Sequence, residues 1–543
     1  NEVIKTFIES IDKALEIKEY RGNVYADATH LSPKGRAQVL NQLKNKDKVS
    51  VIYLDVPFKT IIKRNAERSG RELVPETVIH RMYNSVILPT KEEGIEESCS
   101  LELFNANNLT VTPAFIDMHV HLRYPGQIQK EDLSSGLKAA AAGGFGTVVA
   151  MPNTNPVVSS VEMAMQIEKE AAALGLTQLF QTVSLTKDFA GSDTSHLDFL
   201  DKKYIPVISE DGRDVASSSV MLEAMKKASE KGVLVSCHCE DPFLTVDAKS
   251  YRQVALNSIQ KVGLNTWGTL SEFDFADDRP EDYDIIDEAL CQADLLLEKA
   301  EDLMTIRNLE LAKMADCKVH IAHVSSKGAI EAIRKAKSDI NKFNEAHDLV
   351  SSKTTYMDFV ENKEGEAFER FERNYDVTCE VTPHHIALNG MEPPFNRALV
   401  NPPLKDSDTR FELIKAIQDG TVDVISTDHA PHTLEDKKNG APGFPGVETA
   451  YAVCNSFLVK SKHISSSKLS QLMSANPAKI LGLNKGLLKN GYDADIVIVD
   501  SDEQWTVDAQ NFYSKGRATP FQGKTLTGAV KSLIINGKVV LEK

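Results

Sequence analysis

"FIDMHVHLRYPG", residues 115–126, is the stretch on which the reading of the fold turns. Phe115-Ile116-Asp117-Met118 opens an apolar run that reads as a buried strand. The run then delivers His119 and His121, one residue apart, which strict alternation places on one face. Arg123 follows. A histidine pair on one strand face either grips a metal ion or packs as two hydrogen-bonded core residues, and the pair alone does not choose between them.

The rest of the chain repeats the pattern. Seven further apolar runs follow: "GTVVAMPN" (146–153), "LFQTVSL" (179–185), "YIPVISEDG" (204–212), "VLVSCHCED" (233–241), "VHIAHVS" (319–325), "DVTCEVTPHH" (376–385) and "VDVISTDHA" (422–430). Most precede a helical stretch, such as "SVMLEAMKKASEKG" (219–232). Eight strands alternating with helices predict an α/β fold of the (β/α)₈ TIM-barrel type. A doubly wound sheet is the alternative, but no G-x-G-x-x-G turn accompanies the first strand. The expected domains are an N-terminal α/β segment over 1–97, the barrel over 98–490, and a small β module over 491–543 with an Asn536-Gly537 hairpin turn. Residues 243–285 and 340–375 interrupt the repeat. They are polar and weakly periodic, and read as surface excursions or partner-binding elements.

Bulk composition narrows the class. The chain has 543 residues, 42% of them hydrophobic, which suits two or three globular domains. A net charge of -16 counts against nucleic acid or an anionic membrane as the main partner. No apolar stretch approaches the roughly 18 residues of a bilayer span. The opening "NEVIKTFIES" has no secretory pattern, and seven scattered cysteines suggest reduced thiols, so a cytoplasmic setting is expected.

Polar residues collect at the C-terminal strand ends, where barrel enzymes build their sites. The first strand ends with His119, His121 and Arg123, the second with Asn153, the fourth with Glu210 and Asp211. The fifth and sixth end with His238 and His323, the seventh with His384 and His385, and the eighth with Asp428, His429 and His432. One such histidine is ordinarily a packing residue. Recurrence on so many independent strands points to a metal site, and His plus carboxylate donors suit zinc or a similar divalent ion. Cys237 and Cys239 flank His238 and alternate onto the opposite face, toward the helices.

"DMHVHLR", "VAMPNTNP", "SEDG", "HCEDP", "HVS", "VTPHH", "NPPL", "STDHAPHTLEDKK" and "PGFPGVET" together resemble the dihydroorotases of the amidohydrolase superfamily, over about residues 113–543. The resemblance implies a metal-dependent hydrolase that interconverts N-carbamoyl-L-aspartate and L-dihydroorotate. It implies one or two Zn²⁺ ions held by His119, His121, Asp211, His238, His323 and Asp428, with Asp428 also the general base. Arg123, Asn153, Asn401 and His432 correspond to substrate-binding residues, with Phe444 and Pro445 on a neighbouring loop. Zinc lowers the pKa of bound water to about 7, and an arginine fork suits a substrate carboxylate. Strand four carries no lysine, as expected of the aspartate-containing variant. The resemblance also raises a homodimer and an aspartate transcarbamoylase partner.

Three features depart from the family pattern. Glu210 replaces an Asp, Tyr124 stands where an acidic residue is common, and only "LELFNANNLTVTP" precedes the barrel where several strands are usual. Two rival readings follow: another cyclic amidase, such as a hydantoinase or allantoinase, and a catalytically silent scaffold for a transcarbamoylase. The leading segment resembles the C-terminal half of a polynucleotide-kinase-type P-loop kinase, with Arg64, Arg68 and Arg71 at its lid arginines. It lacks the G-x-x-x-x-G-K-[ST] loop, so no kinase activity is expected.

Overall fold

The computed structural model describes residues 109–261, 280–353, 374–391 and 395–543, together with position 78. The kinase-like reading of residues 1–97, with its lid arginines, lies outside the described residues. So does most of the second interruption, residues 354–373.

Strand β1 (Thr110–Pro113) precedes the barrel. Eight strands then form the barrel: β2 (Phe115–Val120), β3 (Phe145–Ala150), β4 (Gln178–Gln181), β5 (Val207–Ser209), β6 (Leu234–Cys237), β7 (Lys318–Ile321), β8 (Asp376–Val381) and β9 (Val424–Ile425). β2 to β4 pair in parallel, as do β5 to β9. Two parallel bridges join the groups, Val183 to Ile208 and Val120 to His429, and close the ring. β2 and β3 are buried along their whole length, as strands covered on both faces must be.

Helices α1 (Leu133–Ala142), α2 (Val161–Ala173) and α3 (Ser218–Lys231) cover the outside. Each begins where a polar side chain takes an otherwise unpaired backbone N–H: Asp132 from Ser135, Ser160 from Met163, Ser217 from Val220. α3 ends at Gly232, whose φ of 65° suits a residue without a Cβ. Between strands and helices lies the main core, including Phe115, Val120, Leu137, Met225, Val235 and Ile333. Cys237 and Cys239 belong to this outer layer, as alternation predicts.

The barrel interior holds a second cluster with Ile116, Met118, Val149, Val207, Leu234 and Val424. Ile116 and Met118 therefore face inward, whereas Val120 joins Phe115 in the outer layer. Strict alternation cannot do this. The β2–β3 register shifts between Asp117 and Val120, and that shift changes the phase in which His119 is presented.

The first interruption differs from expectation. Residues Pro242–Lys261 form α4, and α5 (Pro280–Ala315) runs from the same excursion into the barrel wall. Ala255, Leu256 and Ile259 of α4 and Ile286, Ala289 and Leu290 of α5 bury against Leu399, Val400 and Phe444. This stretch is thus a helical hairpin packed on a site loop. Its periodicity is weak because the buried stripe is narrow and partly alanine. Helix α6 (Lys327–Lys353) follows β7.

His384 and His385 also sit differently from expectation. β8 stops at Val381, and both histidines lie in the short helix α7 (Pro383–Ala387), capped by Thr382 with Pro383 in its first turn. A four-stranded antiparallel sheet stands beside the barrel, in the order β1, β10 (Ile496–Thr506), β11 (Thr525–Ile535), β12 (Lys538–Glu542). Asn536 and Gly537 turn the β11–β12 hairpin with φ of 50° and 72°, as their sequence predicts.

Candidate metal centre

The six residues proposed as ligands converge at the C-terminal mouth of the barrel. Asp211 is the hub. Its carboxylate lies 3.2 Å from His119 Nε2, 3.4 Å from His121 Nε2, 2.9 Å from His238 Nδ1 and 3.7 Å from His323 Nε2. Asp428 stands 3.0 Å from His121 Nε2 and 3.7 Å from His119 Nε2. Two overlapping groups could each hold an ion: His119, Asp211 and His323, and His119, His121 and Asp428.

The cluster is buried, and among the described residues His119 Nε2, though within ion-pair distance of Asp211, has no hydrogen-bond partner. An imidazole nitrogen left bare among carboxylates fits a metal coordination position better than a packing role. Burial pushes the Asp428 carboxyl up. The His121 hydrogen bond and the charges of His119 and His121 outweigh this and hold it below the usual carboxylate range. The same competition, led by burial and overcome by His119 and His238, keeps Asp211 ionised. Arg123, His323 and Asp428 all adopt positive φ, at 57°, 32° and 45°. Such backbone costs about 1–3 kcal/mol each and persists only where its surroundings enforce it.

Two carboxylates that sequence reasoning missed hold the histidines in place. Glu380 on β8 is fully buried and takes His119 Nδ1 at 2.8 Å. Glu240 takes His238 Nε2 at 3.1 Å. Each leaves the opposite ring nitrogen for the centre of the cluster, the usual outer partnership of metal-binding histidines. Both lie inside quoted strand motifs, where a Glu in an apolar run was the available signal. Glu210, by contrast, binds Thr186 outside the cluster, and burial pushes it up to about 7.

The proposed substrate residues fall in two groups. Arg123 Nε donates to the Pro431 carbonyl at 3.2 Å, and Nη2 lies 3.1 Å from His432 Nε2. Arg123 is 8% exposed, and among the described residues no carboxylate forms an ion pair with it. Burial lowers its pKa to about 10, and the more distant Asp428 and Asp211 favour its charge. Asn153 Oδ1 meets His121 Nδ1 at 2.9 Å, so it touches a candidate ligand as well as the mouth.

Asn401 donates to Glu240, and Phe444 stands edge-on to His384 at 5.9 Å between centroids. Pro445 is buried nearby. Lys437, fully buried, ties these loops by donating to the carbonyls of Leu399, Ala441 and Gly443 at 2.9, 2.7 and 2.6 Å. Nothing in "LEDKK" marks it as buried, since the stretch reads as a solvated helix turn. His385 is structural: its Nε2–H donates to the Pro402 carbonyl at 3.0 Å, and its Nδ1 meets the Thr382 hydroxyl at 2.7 Å. His429 likewise accepts the Gly446 N–H at 3.1 Å and fixes the loop that carries Phe444.

The family model described as "Amidohydrolase family" matches residues 291–540, and one described as "Dihydro-orotase-like" matches residues 109–257. A dihydroorotase of Clostridium botulinum (strain Eklund 17B / Type B) is 37% identical over 445 residues, covering 82% of this chain and 90% of the relative. A dihydroorotase of Caldanaerobacter subterraneus subsp. tengcongensis is 33% identical over 469 residues, covering 85% and 93%. Among solved structures, a dihydropyrimidinase from Brevibacillus agri aligns with a TM-score of 0.61 at 20% identity, covering 82% of this chain and 87% of that one. The L-hydantoinase of Arthrobacter aurescens gives 0.60 at 22%, covering 83% and 89%. At such identities these two likenesses concern the fold alone.

Proposed function

The chain belongs to the dihydroorotase family of amidohydrolases, and from that premise we propose how its residues divide the work. The reaction is the reversible, metal-dependent cyclisation of N-carbamoyl-L-aspartate to L-dihydroorotate in pyrimidine synthesis. His119, His121, Asp211, His323 and Asp428 hold the metal, joined by His238 beside Asp211 and His323, and zinc is the ion their nitrogen and carboxylate donors suit. When bound, such an ion acidifies a water molecule and polarises a carbonyl.

The chain's own groups do the rest. Asp428, ionised and at the mouth, takes a proton from the water whose oxygen adds to the ring carbonyl, and gives it to the ring nitrogen as the C–N bond breaks. In the synthetic direction the same carboxylate serves the reverse transfers. Asn153 fixes the His121 ring through Nδ1, and Glu380 fixes His119. Arg123 binds the substrate carboxylate, His432 and the Pro431 carbonyl hold its guanidinium, and the loop with Phe444 and Pro445 shields the ring from water.

The single observation that carries the substrate assignment is the buried Arg123 with no carboxylate partner among the described residues. A buried, uncompensated charge is costly, and a ligand carboxylate removes the cost. Hydantoin and allantoin rings bear no such group. One assay separates the readings: purified, zinc-loaded protein is offered dihydroorotate, hydantoin and allantoin. Turnover of dihydroorotate alone is expected, and preferential turnover of hydantoin would reject the assignment of Arg123. For assembly, the reading takes a homodimer, with aspartate transcarbamoylase as the partner. Light scattering of the chain alone and mixed with that enzyme tests both.

A further inference from the structure

Glu240 faces two ways. One oxygen takes His238 Nε2 at 3.1 Å, and the other accepts the side-chain N–H of Asn401. The far side of that amide is held in turn, because Arg252 Nη1 donates to Asn401 Oδ1 at 3.0 Å. Arg252 belongs to α4, and its Nη2 also grips the carbonyls of Val400 at 2.9 Å and Arg397 at 3.3 Å. A continuous run of charge-assisted hydrogen bonds thus leads from the helical hairpin to Asn401, Glu240 and His238, and ends on Asp211. The hairpin's apolar face packs against the loop that carries Asn401, so the run has a rigid backing.

We propose that Glu240 and Arg252 are positioning residues that couple the substrate loop to the metal centre, so that the seating of Asn401 and the aim of His238 are set together. The proposal rests on the reading that His238 is a metal ligand and Asn401 a substrate contact. The physical reason is competition for one carboxylate. If Asn401 shifts, Glu240 loses one of its two donors and swings, and the His238 ring loses the acceptor that fixes its rotation. If Arg252 is lost, the Asn401 amide is free to turn. Charged hydrogen bonds in a half-buried setting are directional enough to transmit such a change along these side chains. The hairpin then does more than cover the barrel mouth: it holds one of the walls that define the metal geometry.

The test follows zinc release from the loaded full chain to a chromophoric chelator, beside kcat and KM for dihydroorotate. Glu240→Gln should release zinc about 10–100-fold faster, the usual cost of an altered outer partner. Arg252→Lys keeps the charge but loses the fork. It touches no metal ligand, yet it should also speed release and raise KM more than it lowers kcat. Asn401→Ala should speed release as well. Combining Glu240→Gln with either second change should give less than the product of the single effects, because all act through one run. Thermal unfolding accompanies each variant. Should Arg252→Lys not fold, the Glu240–Asn401 pair supplies the same cycle.

Wild-type zinc release in Asn401→Ala, or single effects that multiply independently, overturns the coupling. His238→Ala is the control for the underlying reading. Zinc loss there with normal release in Asn401→Ala rejects the coupling alone, whereas full zinc retention in His238→Ala rejects the ligand assignment and the coupling with it.

Discussion

The two ends of the barrel bury charge in opposite ways. At the N-terminal end Lys485 is buried with Asp495, and every contact closes within the protein. Lys485 bonds Asp495 Oδ2 and lies 3.3 Å from the Thr147 hydroxyl, while Asp495 Oδ1 accepts the Asn536 N–H at 2.8 Å. At the C-terminal mouth the accounts stay open. His119 Nε2 has no hydrogen-bond partner, and Arg123 has no ion-pair partner among the described residues. Three of the mouth residues also hold strained backbone. A closed set of buried charges serves the fold. An open set is kept in place by the fold for something that arrives from outside.

The largest expected effect breaks the open end. Asp428→Asn keeps the shape but removes the proton carrier, so turnover of dihydroorotate should fall by roughly 10²–10⁴-fold while the melting temperature stays close to wild type. Turnover near the wild-type rate would remove Asp428 from the reaction. The closed end should respond in the opposite sense. Lys485→Met strands a buried carboxylate, which costs about 3–5 kcal/mol of stability. Denaturant unfolding should show that loss, with kcat per folded molecule unchanged. A fall in kcat at full stability would contradict the division between the two ends.

A smaller change sharpens the open end. Arg123→Lys keeps the charge but loses the planar fork. With charged hydrogen bonds worth about 1.5–3 kcal/mol, kcat/KM for dihydroorotate should fall at least about tenfold, at unchanged zinc content. Equal kinetics for mutant and wild type would sink the carboxylate contact while leaving the metal assignment intact.

The smallest effect lies on the barrel flank, away from both ends. Burial raises Glu168 on α2 to about 7, although it accepts the Gln181 N–H at 2.8 Å. A raised folded-state value means the neutral acid suits the fold. Its contribution is therefore full below the ordinary value of 4.5 and is lost as pH climbs through about 7. Glu168→Gln should remove that dependence. The melting temperature of the variant relative to wild type should rise between pH 4.5 and pH 7, and parallel profiles would show that Glu168 stays ionised.

Much of this was legible in the chain itself. Eight apolar runs with helical intervals announce a barrel, because a strand buried on both faces must be apolar throughout. The Asn536-Gly537 pair announces its hairpin, since few residues accept two positive φ values in succession. Histidine and aspartate repeated at strand ends also marked the candidate ligands that the barrel mouth brings together. What the chain could not reveal is how those ends meet. The phase of His119 depends on a register shift in β2, which its pairing with β3 decides. Glu380 and Glu240 become holders of His119 and His238 only when neighbouring strands and turns bring them within hydrogen-bond reach. The α4–α5 hairpin reads as polar excursion because its buried stripe is narrow, and Lys437 reads as solvated because charge is ordinarily on the surface. Local sequence determines which residues prefer burial and which backbone they accept. Which buried group meets which partner is a property of contacts distant in the chain, and only the closed barrel supplies them.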